Sequence, residues 1–266
     1  VVAATTAACG SRTLKGEQFD AAVIDEAGQL TEPGTFLATT LADRFVLIGD
    51  HQQLPPVVRA ENDLQRSLFE RLIERSPEAS VLLDRQYRMN QRIQFFPSRE
   101  FYDGELRPAS ATIAGRRLGE LDGVDPDTLP AELRDPVAFV DPDGTATGNT
   151  NTVEADRVAG VVESFVEAGV EREDIGVIAP FRAQVAEISR RLSGVTVDTV
   201  DRFQGSAKEV IVVSFVATSD LSSPIFEDYR RVNVALTRAK RALVLVGDRG
   251  ALQSDPFYRR MLEWAS

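Results

Sequence analysis

The sequence predicts an α/β fold made of two parallel sheets covered by helices. Short apolar runs rich in Val and Ile alternate with amphipathic helical stretches, the pattern of parallel strands buried beneath helices. These runs form two series separated by an irregular stretch, which implies two sheets. An apolar fraction of 43% over 266 residues is ample for buried cores.

The first series comprises VVAA at 1–4, AAVI at 21–24, RFVLI at 44–48 and SVLL at 80–83, with helices expected over 32–42 and 64–75. The second comprises VAFV at 137–140, IGVIA at 175–179, TVDTV at 196–200, VIVVSF at 210–215 and ALVLV at 242–246, with helices over 152–167, 182–192 and 229–237. The boundary is placed just before QYRMN, giving domains 1–84 and 85–266. Residues 107–136, rich in Pro, Gly and Asp and weakly periodic, are too long for an ordinary connection and read as an irregular insertion. The chain starts at Val1 inside an apolar run, without an initiator methionine, and a doubly wound domain of 84 residues is short. The expectation is therefore that the first domain is truncated at its N-terminus and that the missing half of it is supplied from elsewhere.

Composition narrows the function. No run approaches the roughly 18 to 20 apolar residues that cross a bilayer, and no basic segment precedes an apolar one, so a soluble, cytoplasmic protein with no membrane partner is expected. A single cysteine, Cys9, excludes an internal disulfide and a cysteine zinc cluster; it reads as a small packed residue rather than a nucleophile. With 41 acidic against 30 basic residues the net charge is −11. Of the basic residues 3 are Lys, leaving 30 − 3 = 27 Arg. Either a solvated acidic surface confines cations to a cleft, or net charge says little about a local groove; both readings stay open.

Five segments carry chemistry: VIDEAGQ (23–29), GDHQQLPP (49–56), QYRMN (86–90), TVDRFQG (199–205) and NVALTRAKR (233–241). An apolar strand ending in Asp25-Glu26 suits nucleotide hydrolysis, with Asp25 on Mg²⁺ and Glu26 on the attacking water; a helix cap with a solvated neighbour is the alternative. Asp50 and Gln53 leave the next strand at the same edge and could join a phosphate site, or form a turn stiffened by Pro55 and Pro56. His51 reads as a packing or hydrogen-bonding residue. Arg88 and Arg238 could stabilise charge on a transferring phosphate, or be salt-bridged like most arginines. FFPSREFYDG (95–104) could stack on bases or pack at the domain join, and DPDG (141–144) reads as a turn rather than a calcium loop. The phosphate-gripping G-x-x-x-x-G-K-[ST] is not in these residues: Lys15, Lys208 and Lys240 are followed by Gly, Glu and Arg.

Taken in order, with APFRAQ (179–184) between the third and fourth, these motifs resemble the superfamily 1 helicases of subgroup B. The types they resemble are the RNA helicase of nonsense-mediated decay and the DNA-replication nuclease-helicase. The resemblance covers nearly the whole chain apart from 107–136, although nothing here resembles a fused nuclease cluster. It implies two RecA-like domains of the P-loop NTPase type with ATP and Mg²⁺ between them, and movement 5′ to 3′ along single-stranded DNA or RNA. It gives Asp25 the Mg²⁺ role and Glu26 the hydrolytic role. Gln53, Arg88 and Arg238 would sense the γ-phosphate, and Gln204 and Gly205 would lie against the nucleotide. Thr5, Pro180, Arg182 and Thr199 would face the strand through sequence-independent contacts.

One departure is local: after FQG the family commonly has a basic and then an acidic residue, whereas Ser206 and Ala207 stand here. Lys208 and Glu209 could substitute, or pair with each other at the surface. A larger departure is the absent glycine loop. It leaves open a remnant that binds nucleic acid or a partner without hydrolysing ATP, and a switch-type NTPase that does not translocate.

Overall fold

The computed structural model describes residues 1–58, 65–142, 144–218, 221 and 223–266. The chain divides into two compact units, Val1–Leu82 and Leu83–Ser266, each with its own packing. No helix among the described residues is long and apolar enough to cross a membrane.

In the first unit, α1 (Thr6–Cys9) leads to β1 (Ala22–Ile24), α2 (Glu32–Thr39), β2 (Phe45–Leu47) and α3 (Leu68–Arg75). β1 and β2 pair in parallel, Val23 opposite Val46. Ile24, Ala27 and Ala38 form a small core, against which Cys9, Leu30, Leu47 and Phe69 pack. α2 starts where the Thr31 side chain accepts the Gly34 N–H and proline occupies the first turn. α3 starts at the Ser67 cap, which accepts the Glu70 N–H at 3.1 Å; the expected helix start at 64 lies outside the described residues. Residues 1–4 and 81–83 form no strand. They have the apolar composition but lack a hydrogen-bonded neighbour among the described residues, and Val1, Val2, Val81 and Leu83 remain exposed.

The second unit opens with β3 (Arg85–Gln86), α4 (Gln91–Phe101), β4 (Arg107–Pro108) and α5 (Ala111–Ala114). Then come β5 (Val137–Val140), α6 (Thr152–Glu167), β6 (Ile175–Ala179), α7 (Arg182–Ser189), β7 (Thr196–Thr199) and α8 (Val200–Phe203). β8 (Lys208–Ser214), α9 (Pro224–Glu227), α10 (Tyr229–Leu236), β9 (Ala239–Val246), α11 (Arg249–Leu252) and α12 (Pro256–Ala265) complete it. The main sheet runs β5-β9-β8-β6-β7, parallel throughout. Its central strands are buried on both faces, which is why they read as continuous apolar runs. α6 lays Ala155, Val158, Val162 and Phe165 on one side of this sheet.

Beyond β4 and α5 the stretch 107–136 has only short 3₁₀ turns, yet Leu118, Leu129 and Leu133 are buried in the α6 core. The stretch is irregular in backbone and integral in packing. α4 and α12 have no counterpart in the sequence reading. α4 contains Pro97, a local break normally costing ~3 kcal/mol. Its rings meet α12: Phe96 lies 5.1 Å from Trp264 and 5.4 Å from Phe257, and Phe101 lies 5.7 Å from Phe257. Phe96 and Phe101 therefore pack inside the second unit rather than at a domain join.

A polar network ties α6, α7 and β8 together. Glu154, fully buried, accepts the Ser214 hydroxyl and the Val216 N–H at 2.9 Å. Gln184 donates to the Asn151 carbonyl at 3.1 Å and to Ser214 Oγ at 3.3 Å. Val216 has φ of +68°, a costly conformation for a β-branched residue, and these bonds hold it. Burial pushes the Glu154 carboxyl up to about 7, against the hydrogen bonds from Ser214 and Val216 and with a further push from Asp248. Its unfolded form ionises near 4.5. The resulting stability is present below that value and is lost as pH rises through 7. Between pH 5 and 8 the loss is roughly 2–3 kcal/mol. Urea unfolding of Glu154→Gln should show that much less fall in stability over this range than the unchanged chain. Parallel curves would contradict the assignment.

Candidate functional site

In the first unit the two acidic motifs leave adjacent strands at one edge. Ile48 N–H donates to Ile24 O, and Ala27 N–H donates back to Ile48 O, both at 2.8 Å. The loops then touch so closely that a Cβ on Gly49 would stand 2.8 Å from Gly28 N, and one on Gly28 would stand 3.0 Å from Asp50 O. Glycine at these two positions is thus a packing requirement.

Asp25 and Glu26 are exposed at this edge. Asp25 Oδ1 accepts the Glu26 N–H at 2.9 Å, and Glu26 takes the left-handed conformation, φ 52° and ψ 34°. Gln29 donates to Glu26 Oε2 at 2.6 Å, fixing the carboxylate. Gln53 is half-buried, its amide donating to Asp50 Oδ2 at 2.7 Å, while Asp50 Oδ1 accepts the Gln52 N–H at 2.9 Å. His51 lies 6.5 Å from the Phe69 ring. Thr5 caps α1, accepting the Ala8 N–H at 3.2 Å.

Among the described residues no three His, Cys, Asp or Glu side chains converge as a metal cage. That donor set fits Mg²⁺ all the same. Mg²⁺ keeps its waters and uses one or two carboxylates plus substrate phosphates, and Asp25 is such a carboxylate.

In the second unit, Arg88 and Arg238 converge on one residue. Arg88 Nη1 donates to the Thr237 carbonyl at 2.9 Å, and Arg238 Nη2 donates to the Thr237 hydroxyl at 3.1 Å. Arg238 is buried and also donates to Val234 O at 3.1 Å and Ser206 O at 3.4 Å. Arg88 is half-buried and has no carboxylate partner among the described residues; burial lowers its pKa. Gln204 and Gly205 precede Ser206, and Gly205 has φ of +80° with open space where a Cβ would stand. This group sits at the amino ends of β8 and β9, where Lys208 pairs with Ala239.

The strand-facing candidates of this unit lie at the other end of the sheet. Ala179, the last residue of β6, is opposite Thr199, the last of β7. Pro180, Arg182 and Thr199 are therefore brought to one carboxyl edge, with Arg182 exposed and carrying no ion pair among the described residues. At a rise of ~3.3 Å per residue the strands put roughly 15–20 Å between the two ends.

Two residues given no role by the sequence reading emerge as organisers. Gln29 and Thr237 each stand inside a recognised motif, but only the fold shows that they orient Glu26 and bridge Arg88 and Arg238. Glu209 corrects an expectation. It pairs with Lys240 at 2.6 Å and with Arg241, while the Lys208 ammonium donates to the Glu173 carbonyl. Burial pushes the Glu209 carboxyl up, and Lys240 and Arg241 outweigh it, leaving the group below its ordinary value. It does not pair with Lys208. Of DPDG, Asp143 lies outside the described residues, and Asp141 accepts the Arg249 N–H at 3.4 Å.

An AAA domain family model matches residues 64–250, and a second AAA domain model matches residues 1–61. The chain is 38% identical over 282 residues to the uncharacterized ATP-dependent helicase MJ0104 of Methanocaldococcus jannaschii, covering 100% of this chain and 41% of that protein. It is 36% identical over 280 residues to the DNA replication ATP-dependent helicase/nuclease DNA2 of Xenopus laevis, covering 93% of this chain and 26% of that protein. The solved structure of PRRSV helicase aligns with a TM-score of 0.47 at 17% identity, over 91% of this chain and 38% of that one. The chain thus spans less than half the length of these curated relatives. It belongs to the AAA-domain family of superfamily 1 helicases.

Proposed function

We propose that this chain supplies hydrolytic and strand-gripping residues of an ATP-dependent helicase that moves 5′ to 3′ along single-stranded nucleic acid. DNA is the proposed strand, because the Xenopus relative is named for DNA replication. The reading is carried by one observation: a half-buried Arg88, without a carboxylate partner among the described residues, converges with Arg238 on Thr237. A guanidinium kept without a counter-charge is poised for an incoming anion, here the γ-phosphate of ATP.

Asp25 would hold Mg²⁺, which when bound neutralises charge on the phosphate oxygens. Glu26, oriented by Gln29, takes the proton of the attacking water. Gln53, tethered by Asp50, offers its remaining amide hydrogen and its carbonyl to that water or to the γ-phosphate. Gln204 and Gly205 lie against the nucleotide. At the opposite end of the second sheet, Pro180, Arg182 and Thr199 contact phosphates and sugars without reading bases, and Thr5 does so from the first unit. A translocating motor must accept every base it meets.

The test is strand binding by the chain itself. With a fluorescent oligothymidylate, Arg182→Ala should weaken binding and reduce the slope of log affinity against log salt by about 0.7 for one lost phosphate contact. Unchanged affinity and slope would remove Arg182 from the strand face.

One sequence feature favours a second, narrower reading of these 266 residues by themselves. Without a G-x-x-x-x-G-K-[ST] they lack the backbone cradle and lysine that hold the phosphates. On that reading the polypeptide in isolation binds the strand and turns over little ATP.

A further inference from the structure

The second unit contains a cleft of about 730 Å³, lined in part by residues of FFPSREFYDG (95–104), that none of the helicase-like motifs accounts for. It lies where α4 packs on β4 and α5. Arg85, Arg99 and Arg107 line it together with Phe95, and no carboxylate is among the described lining residues. In a chain of net charge −11 that absence is informative. The many surface arginines elsewhere are mostly engaged, as in Arg172–Glu163, Arg191–Asp156 and Arg260–Glu100. Arg99 and Arg107 are exposed and have no ion pair among the described residues, and Arg85 has only a loose one, 3.7 Å from Asp84.

Phe95 differs from its neighbours in the same way. Phe96 and Phe101 are consumed by α12, whereas Phe95 is 53% exposed and turns toward the cleft. A large ring left in water beside three guanidinium groups is the combination that grips a polyanion carrying flat apolar rings. Arginines take the phosphates, and the aromatic face takes a base. The cavity falls in the size range of ligand pockets, roughly 300–1,000 Å³, so a nucleotide unit fits. Its position is distinct from Pro180, Arg182 and Thr199. Those residues are at the carboxyl ends of β6 and β7, whereas α4 contacts β9 and α10.

We propose that this cleft is a second contact site for single-stranded nucleic acid, in which Phe95 stacks on a base while Arg99 and Arg107, helped by Arg85, hold flanking phosphates. The proposal rests on the strand-binding reading above and extends it to a surface that no helicase motif marks. A site of this kind lengthens the strand footprint on the second unit. Its contacts are sequence-independent, as stacking accepts every base.

The test uses the 266-residue chain and a fluorescent oligothymidylate across a salt series. Arg99→Ala combined with Arg107→Ala should lower the slope of log affinity against log salt by about 1.4, two phosphates at about 0.7 each. Arg99→Lys with Arg107→Lys should keep the slope. Phe95→Ala should weaken binding about tenfold without changing the slope. All three side chains are exposed, and matching thermal melts will show that the fold is kept.

If Arg182→Ala weakens binding while the cleft variants leave affinity and slope unchanged, the strand reading stands and this site is refuted. If the unchanged chain binds no strand at all, the strand reading fails and the cleft proposal fails with it. Binding of polyglutamate as tight as that of the oligonucleotide, and indifferent to Phe95→Ala, would also overturn the proposal. It would identify a general polyanion surface, such as a docking site for an acidic protein segment.

Discussion

Replacing Arg238 by Lys in the natural full-length polypeptide should lower strand-stimulated ATP turnover by about 10³ to 10⁵-fold, the range for arginines that stabilise a transferring phosphoryl group. The reason is geometric. Arg238 is buried and its planar fork reaches Val234 O, Ser206 O and the Thr237 hydroxyl at once. A lysine ammonium keeps the charge but cannot span these acceptors while presenting a second face to phosphate. The preformed hydrogen bonds mean that the guanidinium needs no reorganisation when charge spreads over the γ-phosphate oxygens, which is where such a group acts. Strand affinity should be unchanged, because Pro180, Arg182 and Thr199 stand at the other end of the sheet. Saturating-ATP turnover and oligonucleotide anisotropy on the same preparation separate the two effects. Equal losses in both would mean that Arg238 only supports the fold.

Glu26→Gln should cost about 10² to 10⁴-fold in the same turnover, the usual contribution of a positioned proton acceptor. The substitution keeps shape and hydrogen-bonding capacity, so Gln29 retains a partner. It removes the negative charge and with it the ability to take a proton. Glu26 also sits at φ 52°, a left-handed conformation that non-glycine residues adopt at a cost. Asp25 Oδ1 accepts the Glu26 N–H there, tying the Asp25 carboxylate to the Glu26 backbone. Nucleotide affinity should therefore be kept while the chemical step fails. A turnover within twofold of the unchanged protein would remove Glu26 from the reaction.

Much of the second unit was legible in the sequence, because its signals are local. Strands Val137–Val140 and Ile175–Ala179 and helix Thr152–Glu167 are found at the expected bounds, since continuous apolar runs and the period-3.6 stripe of Val158, Val162 and Phe165 need no tertiary information. The runs at 1–4 and 80–83 carry the same composition and still form no strand, because a strand requires a neighbour and composition does not report one. α4 was hidden by Pro97, whose local cost is met by ring packing against α12.

The site shows the same division. Asp25, Glu26, Gln53, Arg88 and Arg238 are proposed for the site from sequence, because chemistry restricts which residue types stand after a strand or in a motif. Thr237 is not. Its role arises only when residues 149 positions apart, Arg88 and Thr237, meet. Glu154 reads in sequence as another solvated helix acid, and only its burial beneath Val216 shows otherwise. Phe95 was seen within an aromatic and charged segment, but which ring faced outward was a matter of packing.

The proposed coupling of ATP hydrolysis to a single strand is read from the ATP turnover of the natural full-length polypeptide with and without a saturating oligothymidylate. Turnover should rise with the strand and be abolished by Arg238→Lys while the strand stays bound. Turnover that is indifferent to the strand, or that survives in Arg238→Lys, rules the coupling out.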